Sequence, residues 1–209
     1  MKPDQTHCFL CNPDRALVYA ESPAGIAVAG LGPLVEGYSV VASPDHTRSL
    51  ADLPPSRREA FLSFLERIRD TLSSRWSTCL LTEHGRSPLC DLIFGRSDRH
   101  CYHAHCLLFP GAPTIQDELP HTFDRVDSFA SMQDALAFAS SAPEYFLVSP
   151  SSDLFQVCQE PFERSSQLAR HLVAAKLSKP ELASWKDHPQ HSEASRNAAF
   201  LRPAFDQDE

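Results

Sequence analysis

Two histidines one residue apart, His103 and His105, stand inside an apolar run that ends at Pro110. In a β-strand successive side chains point to opposite faces, so His103, His105 and Leu107 are predicted to share one face. An imidazole pair at this spacing can hold a metal ion, attack an electrophile, or divide the two tasks between its rings. The alternative is a core strand whose histidines are merely hydrogen-bonded.

A second group of metal-ligating residues lies near the N-terminus. Cys8 and Cys11 have a CxxC spacing, so their two sulfurs can reach one ion. Zinc takes four ligands, and His46 and His103 are the candidates for the second pair. Two thiolates and two neutral imidazoles would make a closed, uncharged structural site. A redox pair, or a chance spacing of the two cysteines, is the alternative.

Composition narrows the classes of function. The chain has 209 residues, a formal net charge of −8 and seven cysteines. The acidic balance argues against a nucleic-acid partner, and no apolar run reaches the length of a membrane span. Since the N-terminus lacks an export signal, we expect a cytoplasmic protein whose cysteines are thiols or metal ligands and not a disulfide framework.

The elements that must position these residues follow from apolar spacing and turn residues. The glycine-broken apolar stretch 16–42 predicts short strands, the clearest at 39–42. Pro54-Pro55-Ser56 predicts the start of a helix over about 55–74. Further predictions are strands at 79–82, 102–109 and 144–149, helical pieces at 131–140 and 161–178, and a polar tail after Lys186.

Four motifs follow one another along the chain: Cys8-Phe9-Leu10-Cys11, the segment from Leu31 to His46, Glu83-His84-Gly85, and the segment from His103 to Pro110. Their order resembles the histidine-triad (HIT) superfamily. That superfamily includes nucleotide hydrolases, dinucleoside polyphosphate hydrolases and phosphorylases, and galactose-1-phosphate uridylyltransferase. A weaker match connects 167–170 and Trp185-Lys186 with the C-terminal extension of some bacterial members.

Pattern and resemblance together predict an α+β fold. Residues 1–112 would form a HIT-like domain, in which an antiparallel sheet of about five strands carries the 55–74 helix on one face. Residues 113–209 would form a C-terminal α/β extension packed on the same core. The resemblance also implies a homodimer.

Carried over residue by residue, the resemblance assigns the zinc ligands to Cys8, Cys11, His46 and His103 and the nucleophile to His105. It implies a nucleotide hydrolase or nucleotidyltransferase that acts at the α-phosphate of a nucleotide conjugate. The attack would give a covalent nucleotidyl-histidine, which water, phosphate or another phosphate ester resolves. The attacking nitrogen must be unprotonated, and its partner nitrogen should donate to a backbone carbonyl.

The chain departs from the superfamily pattern at two places. The third position of the His-x-His-x-His motif is Leu107, where the uridylyltransferases carry glutamine, and leucine cannot donate to a phosphoryl oxygen. No acidic residue near Gly30 is present to hold ribose hydroxyls. Two alternatives follow: a catalytically inactive, zinc-stabilised binding protein, or a catalytic zinc with one of the four ligands absent from the metal.

The predicted ligand of the site is a small phosphate-containing molecule. Arg99 and His100 lie four and three residues before His103, where the superfamily usually places glutamine and serine or threonine. Alternatively, Arg96, Arg99 and the Glu83-His84 turn are solvated loop residues without a role in binding. Cys101 and Cys106 are predicted to be small buried hydrophobes. The predicted substrate-binding residues are Glu83, His84, Arg96, Arg99, His100, Leu107, Gln167 and Arg170.

Overall fold

The structure, a computed structural model, describes residues 8–86, 103–159 and 167–206. Its strands are β1 Val18–Ser22, β2 Gly25–Ala29, β3 Ser39–Ala42, β4 Cys79–Gly85, β5 His105–Pro110, β6 Arg125–Phe129, β7 Tyr145–Ser151 and β8 Leu154–Gln159. Its helices are α1 Pro55–Trp76, α2 Leu119–Thr122, α3 Met132–Ala139, α4 Leu168–Lys176 and α5 His191–Leu201.

All eight described strands join one sheet in the order β1-β2-β3-β5-β4-β7-β8-β6, and every neighbouring pair is antiparallel. The predicted α+β class is therefore confirmed. Strands β1 to β5 form one half of the sheet, and β7, β8 and β6 continue it beyond β4. The proposed boundary between residues 112 and 113 stays a prediction, and the sheet runs through both segments.

Helix α1 covers one face of the sheet. It begins at Pro55, where the missing N–H of proline costs no helical hydrogen bond, as Pro54-Pro55 predicts. Its inner side chains share an apolar cluster with every second residue of the central strands, among them Leu81 and Leu108. The helical residues of that cluster include Phe61, Leu65, Ile68 and Leu72.

Arg69 of α1 connects the two halves of the sheet. Its guanidinium donates to the carbonyl oxygen of Cys79 in β4 at 3.0 Å. It also donates to Oγ and to the carbonyl oxygen of Ser149 in β7, both at 2.8 Å. Because these acceptors are buried, the paired guanidinium fixes α1 over the β4–β7 junction.

The opposite face of the sheet carries the second helical layer. Leu80, Phe109 and Val148 form an apolar cluster there with residues of α4, including Val173 and Ala174. A third cluster lies on β1, β2 and β3 and includes Cys8 and Leu10 from the N-terminal segment. This face carries the side chains of the candidate site.

The prediction of a polar tail after Lys186 is wrong. Helix α5 occupies His191–Leu201, and Ala194, Ala198 and Leu201 are buried. The helix packs against β1 and β2. Alanine spaced at helical intervals gives little hydrophobic signal in a sequence, although it lets a helix approach a sheet closely. None of the described helices is long and apolar enough to cross a membrane.

Candidate active site and metal centre

Four metal-ligating side chains come together on the β3–β5 side of the sheet. Cys8, Cys11, His46 and His103 each offer one ligand atom, and these atoms all lie within 4.8 Å of one another. His46 Nδ1 is 3.1 Å from the sulfur of Cys11, and His103 Nδ1 is 3.4 Å from that of Cys8. This group can bind a metal ion.

His103 is held in the form that binds metal. Its Nε2 lies 2.5 Å from the carbonyl oxygen of Ser43. A carbonyl only accepts, so Nε2 carries the proton and Nδ1 presents its lone pair to the two sulfurs. Burial lowers the pKa of His103 to about 4 and also lowers the pKa of His46. Both rings are therefore favoured in the neutral form that a metal needs.

The loop that carries His46 is fastened to the segment that carries His103. Ala104 donates its N–H to the carbonyl oxygen of Thr47 at 2.8 Å and accepts from the N–H of Ser43 at 3.0 Å. These bonds extend the β3–β5 pairing beyond the end of each strand. They hold the two histidine ligands in a fixed relation before any ion binds.

The two cysteines of the group can bind a metal ion only as thiolates. Cys11 is a free thiol, and burial raises its pKa. The charge of a bound cation favours deprotonation of both sulfurs.

His105 is the first residue of β5 and is half-buried. Its Nδ1 lies 2.7 Å from the carbonyl oxygen of His103, so Nδ1 carries the proton and Nε2 is left as a lone pair. Burial lowers the pKa of His105, which keeps the ring neutral near pH 7. The ring therefore has the tautomer that a nucleophilic histidine requires.

The strand register shows what surrounds His105. Ala42 of β3 pairs with it on one side. On the other side Thr82 of β4 pairs with Leu107, and the same register continued by two residues places His84 opposite His105. After burial, the charge of His84 is a further cause of the lowered pKa of His105. His84 and His105 are therefore neighbours on one face of the sheet.

The partner of His84 is a residue that no sequence motif indicates. Glu144, just before β7, places Oε1 2.9 Å from His84 Nε2. The edge of the His84 ring also faces Phe146, with ring centroids 5.8 Å apart. Glu144 lies sixty positions away in the chain and outside every recognised motif, so only the β4–β7 pairing reveals the contact.

Leu107 lies on the same face as His105, as the strand alternation predicts. It is half-buried, pairs with Val40 and Thr82 across the sheet, and packs against two apolar clusters. Within the part of the chain that the structure describes, the buried hydroxyl of Thr82 has no hydrogen-bond partner. The position of the third histidine is thus apolar, with one unsatisfied hydroxyl beside it.

Glu83 points to the opposite face, away from His84. It is 2% exposed, with Oε1 accepting from the N–H of Leu50 at 2.7 Å and Oε2 accepting from the Tyr145 hydroxyl at 2.8 Å. Gly85 makes room for Tyr145, since a Cβ there would lie 2.1 Å from the tyrosine ring. Burial raises the pKa of Glu83 to about 7. These contacts anchor the segment after His46 to β4, and substrate binding by Glu83 stays a prediction.

Arg170 holds the C-terminal segment to the β2–β3 loop, and Gln167 forms a hydrogen bond within that segment. The guanidinium of Arg170 is buried and donates to the carbonyl oxygens of Gly32 and Ala183, both at 2.7 Å. Gln167 accepts from the N–H of Trp185 at 3.1 Å. These contacts are structural, and substrate binding by either residue stays a prediction. Cys106 is fully buried, as predicted. Arg96, Arg99, His100 and Cys101 lie outside the described residues.

Fold and site define an α+β protein with a two-cysteine, two-histidine group that can bind a metal ion. No family model and no curated protein sequence matches the chain. Among solved structures it is similar to yeast Ap4A phosphorylase in complex with AMP. The identity is 17% and the TM-score 0.40, over 90% of this chain and 85% of that chain. So loose an overlap transfers neither ligand nor reaction, and the functional assignment depends on the site itself.

Proposed function

We propose that this chain is a HIT-superfamily enzyme, a nucleotide hydrolase or nucleotidyltransferase that acts at the α-phosphate of a nucleotide conjugate. The observation that carries the proposal is the state of His105. Its Nδ1 donates to the His103 carbonyl oxygen, which leaves Nε2 as a lone pair on a half-buried face. The motif order over residues 8–110 supports the superfamily assignment.

The proposed reaction has two displacements at phosphorus. Nε2 of His105 attacks the α-phosphorus, and the bond to the leaving oxygen breaks with its electron pair going to that oxygen. Water, phosphate or another phosphate ester then attacks the same phosphorus and releases His105. Two displacements through a covalent intermediate replace one difficult step.

We infer that the metal is zinc and that its role is structural. The donor set of two thiolates and two neutral imidazoles suits tetrahedral zinc. A catalytic zinc would need one position open, whereas the four ligand atoms here lie within 4.8 Å of one another and support a closed site. When bound, the ion would cross-link the N-terminal segment to the segment before β5. It takes no part in the displacements.

A metal-stabilised binding protein without turnover is the second candidate function. The observation in its favour is Leu107, whose side chain packs into apolar surroundings where the superfamily has a third histidine. Leucine gives no proton and no hydrogen bond. In this candidate the same face would bind a nucleotide or another small molecule without cleaving it.

One experiment separates the two candidates. Reduced protein is incubated with a series of nucleotide conjugates labelled at the α-phosphorus, and release of the nucleoside monophosphate is followed. We expect release by the wild type and by His171→Asn, which alters an exposed histidine on α4, and none by His105→Asn. Binding of a conjugate without release would support the second candidate. Release by His105→Asn would contradict the proposed nucleophile.

The proposal also includes three properties that the sequence and its resemblance imply. They are a cytoplasmic location, a homodimeric state and a small phosphate-containing substrate as the ligand. Sedimentation equilibrium of the reduced, metal-loaded protein tests the homodimer.

A further inference from the structure

We propose that His84, oriented by Glu144, is the acid–base group of this site: it protonates the leaving group and then deprotonates the attacking water. This inference rests on the proposed function and deepens it. It assigns to His84, with Glu144 as its partner, the proton transfer that Leu107 cannot perform.

His84 lies beside the nucleophile on the neighbouring strand. Thr82 of β4 pairs with Leu107 of β5, and the register continued along both strands places His84 opposite His105. Directly paired residues on one face of an antiparallel sheet have Cβ atoms about 4.5–5.5 Å apart. A phosphoryl group attached to His105 Nε2 would therefore have His84 as its neighbour on the β4 side.

Glu144 orients the ring of His84. His84 Nε2 and Glu144 Oε1 are 2.9 Å apart, and both side chains are mostly buried, 21% and 17% exposed. A carboxylate that accepts from one ring nitrogen fixes the orientation of the imidazole. Proton transfer then uses the other ring nitrogen. Glu144 does not reach the reacting atoms in this scheme, so it is a positioning residue.

Leu107, the third position of the histidine motif, is apolar. Leu107 offers no proton to a leaving oxygen, and Val40 and Thr82, its cross-strand partners, are both buried. Among the described residues on this face, His84 is the titratable side chain that the continued β4–β5 register places opposite the nucleophile. General acid–base catalysis by one positioned group contributes about a hundredfold to ten-thousandfold to a rate.

The proton balance of the reaction is complete with these groups. As His105 Nε2 bonds to phosphorus, the leaving oxygen takes the electron pair of the broken bond and a proton from the imidazolium of His84. Neutral His84 then accepts a proton from the attacking water while the water oxygen bonds to phosphorus. The P–N bond breaks, its electron pair returns to His105, and His84 is protonated again.

A leaving-group comparison tests this role. Two substrates with the same nucleotide are used: the p-nitrophenyl ester of AMP, whose leaving group departs without a proton, and the methyl ester of AMP, whose leaving group needs one. We expect His84→Asn to lose about a hundredfold or more of its rate with the methyl ester. With the nitrophenyl ester we expect it to stay within about tenfold of the wild type, because the acid is then dispensable.

Glu144→Gln is the second variant, and it keeps the proposal testable if His84→Asn does not fold. It retains the shape and the hydrogen-bond acceptor but removes the negative charge 2.9 Å from the ring of His84, so we expect a smaller loss of rate with the same dependence on the leaving group. His171→Asn serves as the control that leaves both rates unchanged.

Three results would overturn the proposal, and they differ in what else they overturn. An equal loss with both esters would give His84 a structural role alone, and no loss with either ester would remove it from the reaction. In both cases the proposed function stands if His105→Asn is inactive. Absence of cleavage of both esters by the wild type would refute the proposed function and this inference together.

Discussion

The carbonyl oxygen of His103 lies 2.7 Å from Nδ1 of His105, while the imidazole of His103 faces the two cysteines. One residue therefore supplies a metal ligand through its side chain and fixes the tautomer of the nucleophile through its backbone. Because both functions depend on the same short segment before β5, disturbance of the metal group is expected to reach His105.

The first prediction concerns the metal. We expect about one zinc per chain in reduced protein, and Cys11→Ser to lose it and to destabilise the fold by several kcal/mol, because a closed metal site contributes directly to folding. Metal analysis and denaturant unfolding measure both. Cys158→Ala is the matched control, since Cys158 is a free buried cysteine outside the ligand group. Metal-free wild type, or zinc retained by Cys11→Ser, would refute this ligand set.

Strand alternation and motif spacing predicted much of the site, and the structure explains why. The four candidate ligands lie together, and His105 and Leu107 share a face, because both features follow from local spacing and period. The same alternation predicts that Glu83 and His84, as neighbours in a strand, point to opposite faces. The two residues were instead assigned together to one polar turn, whereas the structure has them on opposite faces of β4.

Contacts between distant segments were not predictable in this way. Glu144 meets His84 only through the β4–β7 pairing, which carries no motif. Strand β6, at the edge of the sheet, has no residue that is fully buried, so its apolar alternation is weak. Helix α5 escaped detection because its buried face is made largely of alanine.

The second prediction concerns pH and Glu83. Its pKa is raised from 4.5 to about 7 by burial, so between these values the folded protein holds a proton that the unfolded chain has lost. Stability is therefore highest below this window and falls as the pH rises through it, by roughly 1–3 kcal/mol. Unfolding in denaturant on either side of the window measures the slope.

Two variants isolate the contribution of Glu83. Glu83→Gln stays neutral at every pH, so we expect it to lose this part of the slope. Glu66→Gln removes a carboxyl on the exposed side of α1 and should keep the slope of the wild type. A wild-type slope in Glu83→Gln would mean that the Glu83 carboxyl titrates normally in the folded protein.

The third prediction concerns Leu107. Leu107→Gln introduces a donor beside His105 and gives the unpaired hydroxyl of Thr82 a partner across the strands. We expect a several-fold rise in turnover of a simple nucleotide conjugate, with a modest loss of stability from the buried apolar surface removed. Steady-state kinetics and thermal unfolding are the measurements.

Leu17→Gln is the control for Leu107→Gln. Like Leu107, Leu17 is partly buried and packs against the apolar cluster on β1, β2 and β3. It should lose comparable stability without a gain in turnover. Weaker ligand binding and lower turnover in Leu107→Gln would instead show that the site is adapted to an apolar group at this position.

The most direct test is to trap the covalent intermediate. Reduced protein is mixed with a conjugate labelled at the α-phosphorus, quenched with alkali during turnover, and the labelled peptide is identified by mass spectrometry. We predict one nucleoside monophosphate bound to the histidine at position 105, stable in alkali and released by acid, and no adduct in His105→Asn. Turnover without an adduct at His105, or an adduct of equal yield in His105→Asn, would contradict the proposed mechanism.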